Sequence, residues 1–264
     1  ADGIRFAMGR DDSLIADEMG LGKTVQAIGV INQSPTAKSI LIICPKSLKA
    51  NWANEWKKWD VKGLTVEYNL NGKAFPESDV VILNYDVVNK FRKVIDSRHW
   101  DYLIVDECHY VKNKKSTRAK ALLGHGKMSG VEADHRIFLS GTPIMNKPIE
   151  IWPLVEALDP DGLGRNWTRF IKDYCNAYQE RIAGRWVWNT DGASNLEELS
   201  ERLRSSFMVR RLKKDVLTEL PSKTRQIISL PPNGDSKLVD AEWLAQRTED
   251  EVKAELRLAV EKAR

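Results

Sequence analysis

The chain has 264 residues, of which 42% are hydrophobic and 30% are charged, and its formal net charge is +4. This composition is ordinary for a globular protein with an ample buried core, and the weak positive charge permits a polyanionic partner without requiring one. Three separated cysteines without a CxxC pair, no membrane-length apolar run and no visible signal peptide argue against a disulfide scaffold, a zinc site, a membrane protein and a secreted protein.

The first half of the chain alternates short apolar runs with helical patterns. Five runs are predicted strands, at residues 13–16, 39–44, 79–84, 102–105 and 136–140. They lack polar alternation, as strands covered on both faces do. Helical patterns lie between them, for example at 24–31 and 47–59. The sequence therefore predicts an α/β fold with a parallel sheet flanked by helices.

The second half has a different texture. Its predicted elements are a helix at 149–180, a hairpin or loop at 181–193, a helix from the capping box at 194–197 to about residue 205, breaks at 221 and 231–234, and a helix at 236–264. Trp186 and Trp188 alternate on a predicted strand, and we expect both to pack internally. Because the chain starts at Ala1 without an initiator methionine, we expect a fragment of a longer protein.

The strongest motif runs from Ala16 to Thr24, between a predicted strand and a predicted helix. Glycines let such a loop curl its N–H groups around an anion, and the helix N-terminus adds positive potential. The Lys23 ammonium suits the β- and γ-phosphates of ATP, and the Thr24 hydroxyl suits Mg²⁺. The candidate nucleotide-binding residues are Asp17, Glu18, Met19, Gly20, Leu21, Gly22, Lys23, Thr24 and Gln26. Asp17 replaces the first glycine of the general pattern, so the alternative is a glycine-rich turn with an incidental lysine.

Two carboxylates, Asp106 and Glu107, end the predicted strand at 102–105. Ligands of parallel sheets sit beyond the carboxyl ends of strands, where the phosphate loop also begins. Asp106 is a candidate Mg²⁺ ligand, and Glu107 is a candidate for orienting and deprotonating the attacking water. The alternative is that Asp106 caps the following helix and Glu107 lies in its first turn.

A third polar segment, Ser140, Gly141 and Thr142, ends the last predicted strand. Its hydroxyls are candidates for sensing the γ-phosphate and passing on its loss, and His109 is a candidate for coupling the nucleotide state to this segment. The alternatives are a polar turn stopped by Pro143 and a histidine that packs near the site.

These motifs together resemble the Swi/Snf-type ATPases of helicase superfamily two. Residues 17–24 are similar to that family's motif I, which also carries Asp in place of the first glycine. Residues 106–109 match the D-E-x-H form of motif II, and residues 140–143 match motif III. Three further segments extend the resemblance: 43–48 with Trp52 to motif Ia, 210–221 to the block after the helical insertion, and 142–148 to the annealing-helicase-like, bacterial and phage branches.

The resemblance implies a RecA-like P-loop lobe that binds ATP and Mg²⁺, with Lys23, Asp106 and Glu107 as the catalytic residues. By the same resemblance, residues 1–145 form the first lobe, 146–225 a helical insertion, and 226–264 a linker or the start of an otherwise missing second lobe. In this family the second lobe supplies arginine fingers, which are worth on the order of 10³–10⁵ in rate in comparable phosphoryl transfer. We therefore expect the chain alone to bind nucleotide weakly and hydrolyse it poorly.

The expected partners are double-stranded DNA, the second lobe and a DNA-bound protein complex, with no membrane. Candidate DNA contacts are Lys46, Ser47, Lys112, Asn113, Arg210, Arg211 and Lys214. The alternatives are a solvated helix face for the charge runs and, for the arginines, a role in bracing the lobes. Trp52, Trp56 and Trp59 share one helix face, which favours a core stripe over base stacking. We expect the protein in the cytoplasm or nucleoid if it is bacterial or from a phage, and in the nucleus if it is eukaryotic.

Three functions remain open from the sequence. The leading one is a DNA-dependent ATPase that translocates on double-stranded DNA and remodels protein–DNA or branched DNA structures. The second is a strand-separating helicase of the same superfamily, against which the helical insertion argues. The third is a non-catalytic, nucleotide-dependent interaction module, against which intact Lys23, Asp106 and Glu107 argue.

Overall fold

A computed structural model of the protein describes residues 2–126, 128–144 and 146–216. Its strands, in chain order, are β1 (Asp12–Ile15), β2 (Ile40–Cys44), β3 (Val66–Tyr68), β4 (Val80–Asn84), β5 (Tyr102–Asp106), β6 (Gly124–His125), β7 (Met128–Ser129), β8 (His135–Leu139), β9 (Tyr178–Ile182), β10 (Arg185–Asn189) and β11 (Met208–Val209). Its α-helices are α1 (Asp2–Met8), α2 (Lys23–Gln33), α3 (Lys49–Trp59), α4 (Tyr85–Val88), α5 (Arg92–Asp96), α6 (Thr117–Leu123), α7 (Trp152–Leu158), α8 (Trp167–Tyr174), α9 (Leu196–Ser206) and α10 (Lys213–Val216). Within these ranges no helix is long and apolar enough to cross a membrane.

Seven strands form one parallel sheet in the order β11-β1-β8-β5-β2-β4-β3. Every residue of β2, β4 and β5 is buried, because alternate side chains enter two separate hydrophobic clusters. Leu41 and Ile43 enter one cluster, whereas Ile40 and Ile42 enter the other. The apolar runs without alternation are thus strands covered on both faces, as predicted.

Two strands of this sheet escaped the sequence prediction. β3 has three residues at the sheet edge, with an exposed Glu67 between half-buried neighbours, so it carries no continuous apolar run. β11 has two residues and pairs with β1, which is almost 200 positions earlier in the chain. A pattern of two residues is too short to distinguish a strand from a turn.

The helix predicted at 47–59 is present, but its tryptophan stripe is shorter than expected. A 3₁₀ turn occupies Lys46–Leu48, and the α-helix starts at Lys49. Trp52 and Trp56 are fully buried, whereas Trp59 is 42% exposed. The prediction of a core stripe is therefore confirmed for two residues and wrong for Trp59, which lies at the end of the helix.

A single helix over 149–180 is the clearest error of the sequence analysis. The structure has a 3₁₀ turn at Pro148–Ile151, then α7, a second 3₁₀ turn at Leu163–Arg165, and α8. The Asp159 carboxylate accepts the Leu163 N–H at 2.9 Å, which closes a turn after α7. The Asn166 side chain then caps α8 by accepting the Arg169 N–H at 2.9 Å.

The expected hairpin is present as β9 and β10, which pair antiparallel. Trp188 packs edge-on against Trp167, with ring centroids 6.5 Å apart, and joins the edge of the core. Trp186 is 68% exposed, so the prediction that both tryptophans pack internally is wrong for this residue. Trp186 and Trp188 lie on the same face of β10 because they are two residues apart. Only Trp188, at the end of β10 near α8, reaches the core.

Helix α9 is present where the capping box predicted it, but the box itself is not formed. The residue before the helix is Asn195, in the left-handed region at φ 47°, and its side chain makes no cap. The Ser194 hydroxyl instead donates to Asp173 O at 2.7 Å and accepts from Asn176 N–H at 3.1 Å, which ties the helix start to the end of α8.

Insertion residues and sheet residues share one core cluster, which contains Trp152, Phe170 and Phe207 together with Leu14 and Phe138. The boundaries at 145 and 225 remain predictions. The breaks at 221 and 231–234, the helix at 236–264 and the linker at 226–264 lie outside the described residues.

Candidate active site

Three strand ends bring the predicted motifs to one edge of the sheet. Ile15 of β1 pairs with Leu139 of β8, and Leu139 pairs with Asp106 of β5. Neighbouring strands lie about 4.8 Å apart, so the chain leaves β1 and β5 within about 10 Å. Gly141 follows β8, and a Cβ built on it would lie 3.5 Å from Lys23 Nζ, which puts the ammonium at the end of the strand beside β5. The lysine and the carboxylate therefore lie at the same edge of the sheet, as the sequence predicted.

The phosphate loop joins β1 to α2 and uses glycine where the backbone requires it. Gly20 and Gly22 have φ of 87° and 70°, in the left-handed region that other residues adopt at a cost. A Cβ built on Gly22 would have no atom within 4 Å, so the loop is open at this residue. The Lys23 Nζ donates to the Asp17 carbonyl at 3.0 Å, and half-buried Thr24 follows in the first turn of α2. An open loop, a lysine and a helix N-terminus together fit a triphosphate.

Asp17 has a structural partner that accounts for its place in the loop. Its carboxylate is fully buried and accepts the Gln26 Nε2–H at 2.9 Å and the Arg211 backbone N–H at 2.9 Å, and the Arg211 guanidinium donates to both of its oxygens. Burial alone raises the Asp17 pKa, but the hydrogen bonds from Arg211 and Gln26 and the Arg211 charge outweigh it, so the pKa lies below its usual value. The buried side chains of Asp17 and Gln26 thus stabilise the loop from within.

The segment that follows β11 runs along the phosphate loop. Ala16 N–H donates to Val209 O at 2.7 Å, and Glu18 N–H donates to Arg211 O at 3.0 Å. The Arg210 guanidinium donates to Ala16 O at 2.9 Å and to Gly141 O at 3.3 Å. Arg210 and Arg211 thus contact the phosphate loop and the segment at 140–142. DNA contact and bracing of the two lobes both stay predictions for these arginines. No short sequence pattern links residues almost 200 positions apart.

Asp106 is held by three donors. Trp52 Nε1–H donates to its Oδ2 at 2.8 Å, and Glu107 N–H donates to its Oδ1 at 2.9 Å. The Tyr85 hydroxyl donates to its carbonyl at 2.6 Å. Burial raises the Asp106 pKa, and the Trp52 hydrogen bond only partly opposes this. A buried carboxylate of this kind suits a divalent cation, whose charge would favour the ionised form.

The helix-cap alternative for the acidic pair is wrong. A 3₁₀ turn at Cys108–Val111 follows, and its cap residue is Glu107, whose side chain makes no cap. The Asp106 carboxylate accepts from Trp52 and from the Glu107 N–H instead. Glu107 adopts φ 52°, which is uncommon for a residue with a side chain and marks a strained position. Its Oε2 lies 3.1 Å from His109 Nδ1, within ion-pair distance, although the angles do not fit a hydrogen bond. His109 thus contacts the candidate catalytic carboxylate.

The segment from Ser140 to Thr142 closes against the phosphate loop. Ser140 is fully buried, its N–H donates to Ile15 O at 3.2 Å, and its hydroxyl accepts the Thr142 N–H at 3.1 Å. A Cβ on Gly141 would lie 2.6 Å from Met19 Cγ and 3.5 Å from Lys23 Nζ. The polar turn exists, and it also contacts the loop, which is the geometry that coupling requires.

The remaining candidate DNA contacts differ in the exposure and the ion pairing of their side chains. Lys46, Ser47, Asn113 and Lys214 are exposed. Lys46 and Ser47 follow β2, which lies beside β5, so they sit at the same edge of the sheet as Asp106. Lys112 instead forms an ion pair with Glu150 at 2.9 Å.

The phosphate loop and the acidic pair were predicted from the sequence, but several of the contacts that support them were not. Trp52 was noted as a core residue and as part of the family resemblance, and its hydrogen bond to Asp106 was not predicted. The hydrogen bond from Tyr85 to Asp106 and the contacts between the phosphate loop and the segment after β11 were also not predicted. Their contacts join distant parts of the chain, so no local spacing reveals them.

Comparison with known proteins agrees with this geometry. A family model described as the SNF2-related domain matches residues 2–257. The human DNA annealing helicase and endonuclease ZRANB3 is 39% identical over 237 residues, which cover 86% of this chain and 21% of that protein. The SWI/SNF-related matrix-associated actin-dependent regulator of chromatin subfamily A-like protein 1 of Xenopus tropicalis is 34% identical over 237 residues, covering 88% of this chain and 24% of that protein.

A solved structure extends the comparison to the fold. The Sulfolobus solfataricus SWI2/SNF2 ATPase core in complex with dsDNA matches with a TM-score of 0.63 and 25% identity, over 83% of this chain and 45% of that chain. The predicted RecA-like α/β lobe and the predicted family are therefore confirmed. The chain spans only about a fifth to a quarter of the curated relatives described above. Because the family model matches residues 2–257 of the chain, the chain belongs to the SNF2-related domain family.

Proposed function

We propose that this chain is the first motor lobe of a DNA-dependent ATPase that translocates on double-stranded DNA and remodels protein–DNA or branched DNA structures. The observation that carries the proposal is the shared edge at which the phosphate loop, Asp106 and the segment at 140–142 meet. The dsDNA in the archaeal structure and the annealing activity in the name of the human relative support the choice of substrate.

Each residue has a role that follows from its chemistry and position. Lys23 binds the β- and γ-phosphates, and the glycine-rich loop from Asp17 to Gly22 offers backbone N–H groups to the same anion. Thr24 and Asp106 hold Mg²⁺, which neutralises charge on the phosphates when bound. Glu107 orients the attacking water and accepts its proton, and the neighbouring His109 restrains the Glu107 carboxylate at 3.1 Å.

The coupling proposed for Ser140, Gly141 and Thr142 follows from their contact with the loop. Gly141 lies beside Met19 and Lys23, so a shift of the loop must be passed to this segment. Lys46, Ser47, Lys112, Asn113 and Lys214 remain the proposed DNA contacts. Because they bind phosphates rather than bases, we expect duplex binding that falls steeply with salt and depends little on sequence.

The proposed second lobe limits what this chain can do alone. Arginine fingers in trans are worth on the order of 10³–10⁵ in rate in comparable phosphoryl transfer. We therefore expect weak hydrolysis by residues 1–264 and strong, duplex-stimulated hydrolysis by a protein that also contains the second lobe.

The test is duplex-stimulated phosphate release by the full-length protein and by two variants. Lys23→Ala removes the phosphate-binding charge and is expected to abolish nucleotide binding and turnover. Glu107→Gln keeps the shape of the side chain but removes the base, so it is expected to retain nucleotide binding and to lower turnover by at least about 100-fold. Unchanged phosphate release in both variants would refute the enzymatic role.

A strand-displacement assay on the same protein separates translocation from helicase activity. We expect no displacement of a simple duplex, together with displacement of a third strand from a triplex as the motor passes. Efficient duplex unwinding would instead favour the strand-separating helicase.

A further inference from the structure

The phosphate loop is held from outside by a strip of backbone, residues 209–213. Its backbone bonds with the loop include Ala16 N–H to Val209 O at 2.7 Å and Glu18 N–H to Arg211 O at 3.0 Å. At the end of the strip, Lys213 N–H donates to the Glu18 carboxylate at 2.7 Å. The loop conformation therefore depends on a segment that lies almost 200 positions later in the chain.

Arg211 lies at the centre of this strip and contacts the loop through two partners. Its guanidinium forms a forked pair with the fully buried Asp17 carboxylate. It also donates to Gln26 Oε1 at 2.8 Å. The Gln26 Nε2 group in turn donates to Asp17 Oδ2 and to Leu21 O, both at 2.9 Å. The guanidinium thus contacts the loop directly at residue 17 and through Gln26 at residue 21.

The network is closed on its outer side by α1. A Cβ on Gly3 would fall 1.8 Å from Gln26 Oε1 and 3.1 Å from an Arg211 nitrogen, so only glycine lets the helix pack this closely. The Arg211 side chain is 23% exposed and Asp17 is fully buried, which leaves the pair little access to water. Forked arginine–carboxylate pairs in such surroundings fix geometry as well as charge.

We infer that Arg211 is a positioning residue for nucleotide binding, acting through Asp17 and Gln26. The Asp17 carbonyl accepts the Lys23 ammonium at 3.0 Å, so the arginine orients the same residue whose lysine partner binds phosphate. Without the guanidinium, the loop loses its tie at residue 17 and the Gln26 amide loses an anchor. This inference rests on the proposed binding of ATP at the loop.

The alternative is an ion pair that only stabilises the fold. Breaking a buried pair is destabilising wherever it lies, because the remaining charge is left without a partner. The two roles differ in what they change at a temperature where the protein is fully folded. A purely structural pair changes the unfolding midpoint, whereas a positioning pair also changes the affinity for nucleotide.

The experiment measures binding of a fluorescent ATP analogue with Mg²⁺, together with the thermal midpoint, in the full-length protein. Arg211→Ala is expected to raise the Kd at least about tenfold at a temperature where the variant is folded, since a hydrogen-bonded charge pair is lost. Arg211→Lys keeps the charge without the fork and is expected to fall between wild type and Arg211→Ala. In turnover assays we expect KM to rise more than kcat falls.

Two further variants keep the test decisive if Arg211→Ala does not fold. Gln26→Ala removes the amide link without leaving a buried charge, and it is expected to raise the Kd several-fold with a small change in midpoint. Arg169→Ala breaks an exposed arginine–aspartate pair on α8 and is the matched control, with the Kd expected to stay unchanged.

The outcomes separate this inference from the proposed function. If the wild type binds nucleotide, Lys23→Ala abolishes binding and the folded variants of Arg211 and Gln26 bind as wild type does, the positioning role is refuted and the proposed function stands. If the wild type and Lys23→Ala are equally unable to bind nucleotide, the proposed function itself fails.

Discussion

Two regions contain tryptophan, arginine and carboxylate side chains but bury them to different extents: the sheet edge that carries the phosphate loop, and the insertion with α8 and the β9–β10 hairpin. At the sheet edge, fully buried Trp52 donates to the buried Asp106 carboxylate, and Arg211 pairs with the buried Asp17. In the insertion, Trp186 is 68% exposed, and Arg169 pairs with Asp173 at the surface. Polar groups in the first region are removed from water and need hydrogen-bond or ion-pair partners, whereas those in the second remain solvated.

This difference predicts where substitutions act. A buried polar group that loses its partner costs more than the hydrogen bond itself contributed, because it cannot turn to water. A surface pair that is broken costs little. Matched substitutions in the two regions should therefore differ strongly in their effect on the free energy of unfolding.

Trp52→Phe is expected to destabilise the protein by about 2–4 kcal/mol, since it removes volume from a full core and the only side-chain donor to Asp106 Oδ2 that we find within the described residues. Nucleotide affinity in the presence of Mg²⁺ should fall as well. Urea unfolding gives the first quantity, and titration with a fluorescent ATP analogue gives the second. Trp186→Phe is the control, because its ring lies largely in solvent. Equal free energies of unfolding for both variants would remove the distinction between the two regions.

Asp17→Asn tests the buried ion pair through pH. The Asp17 pKa is below its usual value of 3.8 in the folded protein, so its ionised form stabilises the fold above that pH, and this contribution is lost as the pH falls below it. The variant should be less stable than wild type at neutral pH, and the gap should narrow as the pH falls below 3.8. Urea unfolding across the acid range measures this.

Asp191→Asn is the matched substitution in the insertion, where Asp191 pairs with Lys147 at 69% exposure. It should change stability little at any pH, since exposed pairs contribute little and are screened by salt.

One outcome would contradict the ionic role of Asp17. If the difference in free energy of unfolding between wild type and Asp17→Asn stayed constant through the acid range, Asp17 would stabilise the loop by its shape and not by its charge.

The sequence predicted the sheet edge better than the insertion, for a physical reason. Glycine, lysine and aspartate at positions 20, 22, 23 and 106 are the residue types that a phosphate and Mg²⁺ site needs, so a search for such a site finds them. A parallel sheet brings strand ends together whatever the connections are. The contacts that support these residues could not be predicted in this way. The pairing of Arg211 with Asp17 depends on how a distant strand returns to β1, which is a property of the folded chain.

In the insertion, local patterns were present but ambiguous. Residues 159–164 contain one proline and two glycines, a turn signal that the prediction of one helix over 149–180 overlooked. The Asp159 carboxylate closes this turn by accepting the Leu163 N–H. The serine of the apparent capping box, Ser194, binds the end of α8 instead of its own helix. Serine, asparagine and aspartate each satisfy several kinds of turn, so which backbone group they contact is settled by packing.

The hairpin gives the smallest expected effect and the finest test of this view. Trp188→Ala should cost about 1–2 kcal/mol, because the ring packs edge-on against Trp167 at 6.5 Å and reaches the core. Trp186→Ala, two residues away on the same face, should change the free energy of unfolding by no more than about 0.5 kcal/mol. Urea unfolding of both variants decides this, and phosphate release without DNA should be unchanged in Trp186→Ala. A large loss of stability in Trp186→Ala would mean that the Trp186 ring is packed against other residues in the folded protein. The insertion would then resemble the sheet edge, where tryptophan is buried.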